Sequence, residues 1–252
     1  MGNFRRNIQA EVYKMIHSAL LPFHLFIPLL CAVVFLAYYR ISIVNEVQKV
    51  TGYLQVLAIA FPFVIGIIGV MSSEQEHQAG SFQMVLFTAG RKQVPHWSKL
   101  LVLLLLGLGS SLMAALGFGI AFWGMGNTLL SISFYLKAGI LLFIANLPLY
   151  IATYMICYAF GKGTGILFGI VGSLISALLL TGLGDRIWPF LPWSIGEHFC
   201  SILVESERRK TNFLEMASVK SGLLFLLIFS FVLLLILHLW ALKWEGRNEE
   251  MD

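Results

Sequence analysis

Long apolar runs alternate with short polar breaks along most of this chain. Six of them, at about 19–39, 54–71, 100–123, 136–160, 164–183 and 220–242, each approach the ~20 residues that cross a hydrocarbon core as a helix. The pattern predicts an all-α membrane protein, with residues 1–252 forming a single transmembrane domain. Residues 1–18 read differently. Phe4, Ile8, Val12 and Met15 or Ile16 recur at helical spacing, with Arg5, Gln9, Glu11 and Lys14 off the stripe. That predicts an amphipathic helix lying in the membrane interface, with Arg5, Arg6 and Lys14 as its basic residues. A frayed, solvated tail is the plainer alternative.

The longest polar interruption inside the apolar pattern runs from Glu74 to Lys99, between the second and third spans. Ser73 followed three residues later by Glu76 has the form of a capping box and predicts a helix start there. Phe82, Val85 and Leu86 then share one face. Gly90 can end that helix, and Pro95 suits the first turn of the next. A short amphipathic helix in a loop made basic by Arg91, Lys92 and Lys99 suits the grip of a membrane subunit on a cytosolic partner. Phe82 and Leu86 are the expected anchors in the partner's groove. Glu74 and Glu76 are expected to meet basic groups there, or on this chain's own N-terminal helix.

Composition agrees with the pattern. Of 252 residues, 58% are hydrophobic and 12% charged, and mean hydropathy is +0.84; soluble domains carry about 25% charged residues. The net charge of +4 is spread over loops, without a basic cluster interleaved with aromatics, so nucleic acid is not an expected partner. Cys31, Cys157 and Cys200 are scattered and form neither a disulfide framework nor a CxxC pair. The first apolar run is long for a signal peptide, and Leu29-Leu30-Cys31 lacks a small residue before the cysteine, so an uncleaved first span is expected. Six spans put both ends on one side. The Lys and Arg excess in short segments (Arg5, Arg6, Lys14, Arg91, Lys92, Lys99, Lys162, Lys243, Arg247) predicts that this side is cytoplasmic, with 184–219 an extracellular loop.

Two rows of small residues recur every fourth position, Gly107, Ser111, Ala115 and Gly119 in span 3, and Gly165, Gly169, Ser173 and Ala177 in span 5. Such rows let helix backbones approach closely in lipid. They serve either packing within one bundle or, for Gly165, Gly169 and Ser173, contact with a second subunit. Span interiors hold no Asp or Glu. His24 and His238 are the ionisable candidates, and Asn146 beside Pro148 is a polar one. His24 and Asn146 either pack by hydrogen bonding or line a substrate path.

Motifs for chemistry are missing. Gly161-Lys162-Gly163-Thr164 lacks the first glycine and the GK[ST] order of a phosphate-binding loop, and reads as a tight turn. HExxH and GxSxG do not occur. Glu197, His198 and Cys200 are metal-ligand types without a second cluster, so no metal site is expected. The chain is not expected to be an enzyme.

The segment E-x-E-x-x-x-G-x-F-x-x-x-L followed by R-x-x-x-x-x-W-x-K, here Glu74, Glu76, Gly80, Phe82, Leu86, Arg91, Trp97 and Lys99, resembles that of ABC-2 type permeases. Within that class the six-span layout is similar to the lantibiotic and bacteriocin immunity permeases of bacterial cell membranes. The motif is confined to 74–99. The resemblance implies an ABC-2 exporter fold with an interface helix before span 1 and a cytoplasmic coupling helix after span 2. It implies two copies of a cytosolic ATPase, which bind the ATP and Mg that this chain does not, and a second permease, identical or paralogous. It also implies short re-entrant helices between spans 5 and 6, expected around Trp188 to Trp193. The function implied is expulsion of a lantibiotic-like antimicrobial peptide from the membrane, giving immunity or resistance. An ATP-independent carrier or channel, or a non-transporting peptide sensor, is the rival reading.

Overall fold

The computed structural model describes residues 2–86 and 92–247, apart from the side chains of residues 2, 3 and 84. Regular structure among the described residues is helical, with no strand. The helices are α1 (Gly2–Ile16), α2 (Leu20–Ile41), α3 (Glu46–Gln78), α4 (Gln83–Leu86), α5 (Gln93–Gly124), α6 (Ile132–Phe160), α7 (Lys162–Leu179), α8 (Ile195–Arg209) and α9 (Ala217–Lys243). Six of them, α2, α3, α5, α6, α7 and α9, are long and apolar enough to cross a membrane, so this is a multi-pass membrane protein.

Local chemistry sets several helix starts. Asn45 Oδ1 accepts the Gln48 N–H at 2.9 Å at the start of α3. Ser131 Oγ accepts the Phe134 N–H at 3.3 Å at the start of α6. Pro95 sits in the first turn of α5, where its missing N–H costs nothing. Gly161 alone joins α6 to α7, at φ +87°, a left-handed conformation that suits glycine.

The expected helix start at Ser73 does not exist. α3 continues through it to Gln78, and Ser73 Oγ donates to Val70 O at 3.1 Å within the helix. A capping box needs a non-helical residue at its N-cap, and the apolar run feeds helically straight through this segment. The helix in the loop is the short α4, entered through a turn at Gly80, Ser81 and Phe82 with positive φ. Gly90, the expected stop, and Arg91 lie outside the described residues.

α3 is the central element and packs on α2, α6, α7 and α8. Its contact with α7 is backbone to backbone. A Cβ on Gly169 would stand 3.0 Å from Pro62 O and 3.1 Å from Gly66 Cα. Ser173 Oγ accepts the Phe63 N–H at 3.1 Å. Gly165 faces Cys157 and Val70. The row Gly165, Gly169 and Ser173, expected as one option to meet a second subunit, is thus occupied inside this chain. In span 3, Gly107 and Gly119 likewise make room for Tyr150 and Tyr135 of α6.

The connection 180–216 is more than a surface loop. Trp188–Phe190 form a tight 3-10 turn, and α8 then docks on α3 and α6. Near its start, a Cβ on Gly196 would lie 3.4 Å from Ala58 Cβ and 3.6 Å from Asn146 Nδ2. Ala58 and Asn146 belong to the interior of α3 and α6. α8, ~22 Å long at 1.5 Å per residue, therefore points its N-terminus into the bundle. Its other end carries Glu205 paired with Arg208 and Arg209 at the surface.

Gly169→Leu should drive α7 away from α3. Overpacking of this kind costs ~1–3 kcal/mol, so the thermal midpoint of the purified chain in detergent should fall, while Leu174→Ala on the exposed face of α7 should leave it unchanged. Equal midpoints for the two variants would remove the α3–α7 contact.

Candidate functional site

Glu74, Gln75, Glu76 and Lys99 converge at the bundle end that carries α1 and the segment after α9. Glu76, in the last turns of α3, is 1% exposed. Its Oε1 receives Lys14 Nζ of α1 at 2.5 Å and also meets Lys99 Nζ of α5. Glu11 of α1 pairs with Lys14 and lies 3.1 Å from Lys99. Gln75 completes the joint, donating to Lys14 O at 3.1 Å and accepting from Lys99 Nζ at 2.9 Å. Two carboxylates and two ammonium groups from three helices thus balance one another, with Glu11, Glu76 and Lys99 buried and Lys14 part-exposed. Burial works against the Lys14 ammonium, but Glu11 and Glu76 outweigh it and hold its pKa above the ordinary lysine value. A raised pKa stabilises the fold fully below the unfolded lysine value of about 10.4 and is lost as pH rises through the folded one. The Lys14 contribution to the joint is therefore fully present at neutral pH.

A second pair ties in the chain's last described residues. Arg247 meets Glu74 Oε1 at 3.1 Å and lies 5.6 Å from the centre of the Phe82 ring. Phe82 is 1% exposed and packs edge-on against Trp244 at 5.2 Å, with Tyr158 at 5.8 Å and His77 at 5.4 Å. Its φ of +65° is unusual for an aromatic residue. The buried ring is what holds the backbone there. His96 Nδ1 lies 2.8 Å from Tyr154 Oη, and Trp97 Nε1 donates to His238 Nδ1 at 3.4 Å. Leu86 is half-buried near Gly246.

Several expected roles change. Phe82 cannot serve as an exposed anchor for a partner, because Trp244, Tyr158 and Arg247 of this chain already enclose it. Of the two partners expected for Glu76, its own N-terminal helix is the one it meets. Glu11 and Lys14, expected off the interactive stripe of α1, form its inward face with Met15, while Phe4, Val12 and Ile16 are exposed. Arg5 and Arg6 are exposed on α1. Gly80, at φ +114°, makes the turn that exposes 78–81 and Gln83. Arg91 lies outside the described residues.

Asn146 does not line the cavity that His24 lines. His24 lines a small apolar space between α2, α3, α5 and α6. Asn146 donates to Leu142 O at 2.8 Å and lies near the start of α8. The sequence offers Glu197 only as a metal-ligand type, because its segment has the charge of an external loop. It is fully buried, accepts from Ser176 Oγ of α7 at 2.9 Å, and leaves Oε1 without a hydrogen-bond partner among the described residues. His198 is 3.9 Å away but holds Ser194 O and stacks on Trp188 at 4.9 Å. No cluster of three or more His, Cys, Asp or Glu among the described residues could hold a metal ion. The joint supplies no nucleophile with an adjacent base. Its capacity is mechanical: α1, the end of α3 and the start of α5 move together or strand a charge.

Removing one partner of a buried pair costs about 3–5 kcal/mol, whereas replacing both with apolar residues is often nearly neutral. Glu76→Gln should therefore lower the thermal midpoint sharply, and Glu76→Leu with Lys99→Met should recover most of the loss, leaving Glu11 with Lys14. A double variant as unstable as the single one would contradict this geometry. At a further buried acid, Glu197→Gln keeps the acceptor for Ser176 and should melt at or above the parent temperature. Glu197→Ala should melt lower. A large loss with the glutamine would mean that Glu197 has a cationic partner.

No protein-family model, curated protein or solved structure matches the chain.

Proposed function

We propose that this chain is the membrane subunit of an ATP-binding cassette exporter of ABC-2 type in a bacterial cell membrane, expelling an amphipathic antimicrobial peptide from the bilayer. The observation that carries the reading is the joint at 74–99. Glu74, Glu76 and Phe82 tie the end of α3 and the turn after it to α1, α5 and the C-terminal segment, while 78–81 and Gln83 stay exposed. A force applied at that tip reaches three helices without first being lost in loop motion. In this reading α1 is the interface helix, and the turn with α4 is the coupling element. That end faces the cytoplasm and two ATPase subunits, and a second permease completes the assembly. The orientation rests on the basic excess in the short segments of that end. Exposed apolar faces of α2, α7 and α9 supply the lipid and subunit contacts.

The test is co-expression and co-purification with candidate ATP-binding cassette ATPases, followed by ATPase assay with and without candidate peptides. Gln78→Arg with Gln83→Arg alters only exposed positions of the tip. It should leave the melting temperature unchanged and reduce ATPase association at least tenfold. Phe82→Ala should lower the melting temperature as well, because it acts through the fold. An unchanged complex and unchanged peptide-stimulated hydrolysis in the arginine variant would sink the coupling role. Transport that follows an ion gradient without any ATPase would sink the exporter reading.

A further inference from the structure

Arg40 sits in the last turn of α2 and is exposed. Because α2 starts beside α1, this is the end of the bundle away from the Glu76 joint. Among the described residues no carboxylate pairs with Arg40. A groove of about 480 Å³ lies beside it, lined by Val33, Leu36, Ala37 and Arg40 of α2 and by Ala121 and Met125 of α5, among others. The two helices pack side by side, and the short side chains of Ala37 and Ala121 leave room that longer ones would fill. The groove is open along its length. Val33 is 61% exposed, and Ala37, Arg40 and Ala121 are exposed with it. The residues that line the groove are thus the ones a ligand reaches.

Val33 lies about two helical turns, roughly 10 Å, down α2 from Arg40. Exposed Tyr38 and Trp123 stand near the same ends of α2 and α5 and mark headgroup depth. The groove therefore descends from the headgroups into hydrocarbon, with Arg40 as the charged residue of its lining. A guanidinium can give a phosphate two parallel hydrogen bonds, and the apolar wall below suits an acyl chain. No acid lines the groove to receive an ammonium group, so a headgroup of net negative charge fits better than a zwitterionic one. A second copy of the chain seated here would bury Arg40 without a counter-charge, which is costly. We propose that the groove binds an anionic phospholipid, its phosphate on Arg40 and one acyl chain along Val33, Leu36 and Ala121. The site is independent of the transport reading.

The full chain is purified into phosphatidylcholine nanodiscs carrying a trace of lipid with a diazirine in one acyl chain. The labelled lipid is a phosphatidylglycerol in one sample and the matched phosphatidylcholine in the other, and adducts are mapped by mass spectrometry. Adducts at Val33, Leu36 and Met125 should be several-fold more abundant with the phosphatidylglycerol. Those at Leu224 and Leu227, exposed on α9, should show no preference. Arg40→Gln should bring the ratio of the two lipids in the groove to one. Ala37→Leu with Ala121→Leu fills the groove and keeps Arg40, and should remove the groove adducts of both lipids while those on α9 remain. All three substituted positions are exposed, so neither variant disturbs the core. Excess soluble glycerol phosphate should leave the groove adducts in place, because the acyl chain contributes to holding the lipid. Equal labelling of the groove by the two lipids in the parent chain, a preference that survives Arg40→Gln, groove adducts that survive the double leucine variant, or displacement by glycerol phosphate overturns the proposal.

Discussion

The buried pairing of Glu76 with Lys99 and Lys14 is the constraint on which this end of the molecule depends. A carboxylate removed from water is tolerable only with its partners in place. Here the partners come from two other helices, so the pairing sets where three helices stand. It lets α3 run past its apolar stretch to Gln78, because the polar residues of its last turns find cations instead of solvent. With α3 extended, the chain must reverse within a few residues, through left-handed turns at Gly80, Ser81 and Phe82. The Phe82 ring then falls among Trp244 and Tyr158, and Arg247 closes over Glu74.

The spans were legible because each is a long apolar run, and runs are a local property. The true length of α3 was not legible. Ser73 to Gln78 look like a loop or a helix start by local rules, and the residues that make them a helix end are Lys14 and Lys99, distant in sequence. Opposite charges at Glu76, Lys14 and Lys99 were visible, but nothing local says which acid meets which base. The same limit applies to the small-residue rows. A period of four marks a face where backbones approach, without naming the neighbour; for Gly169 it is Gly66 and Pro62. α8 was hidden by the charged run at its outer end. The signal for its insertion was present in Ile195, Phe199 and Leu203, four residues apart and buried. Missing that helix also misplaced Glu197, whose depth follows from the inward direction of α8.

Prolines inside α2, α3 and α6 interrupt the helical ladder where water cannot repair it. Hydroxyls from neighbouring helices do part of that work. Ser110 serves the carbonyl of His24 across α2 and α5, and Ser173 takes the N–H of Phe63 across α7 and α3. These cross-links explain why polar side chains recur on helices that are otherwise lipid-soluble. They also put irregular backbone and unmet polar atoms at the same depth as the small cavity near His24.

A single residue, Gly161, joins α6 to α7. The two helices are therefore like the legs of a pair of compasses. Their angle can change, but the gap beside the joint cannot widen. Any parting of α7 from α6 is wedge-shaped and grows with distance from Gly161. It is greatest near Ser176, where Glu197 bridges α7 to α8. Opening of this seam is one-sided by construction: the end at Gly161 stays shut while the far end yields, and the first bond at risk is the one between Ser176 and Glu197.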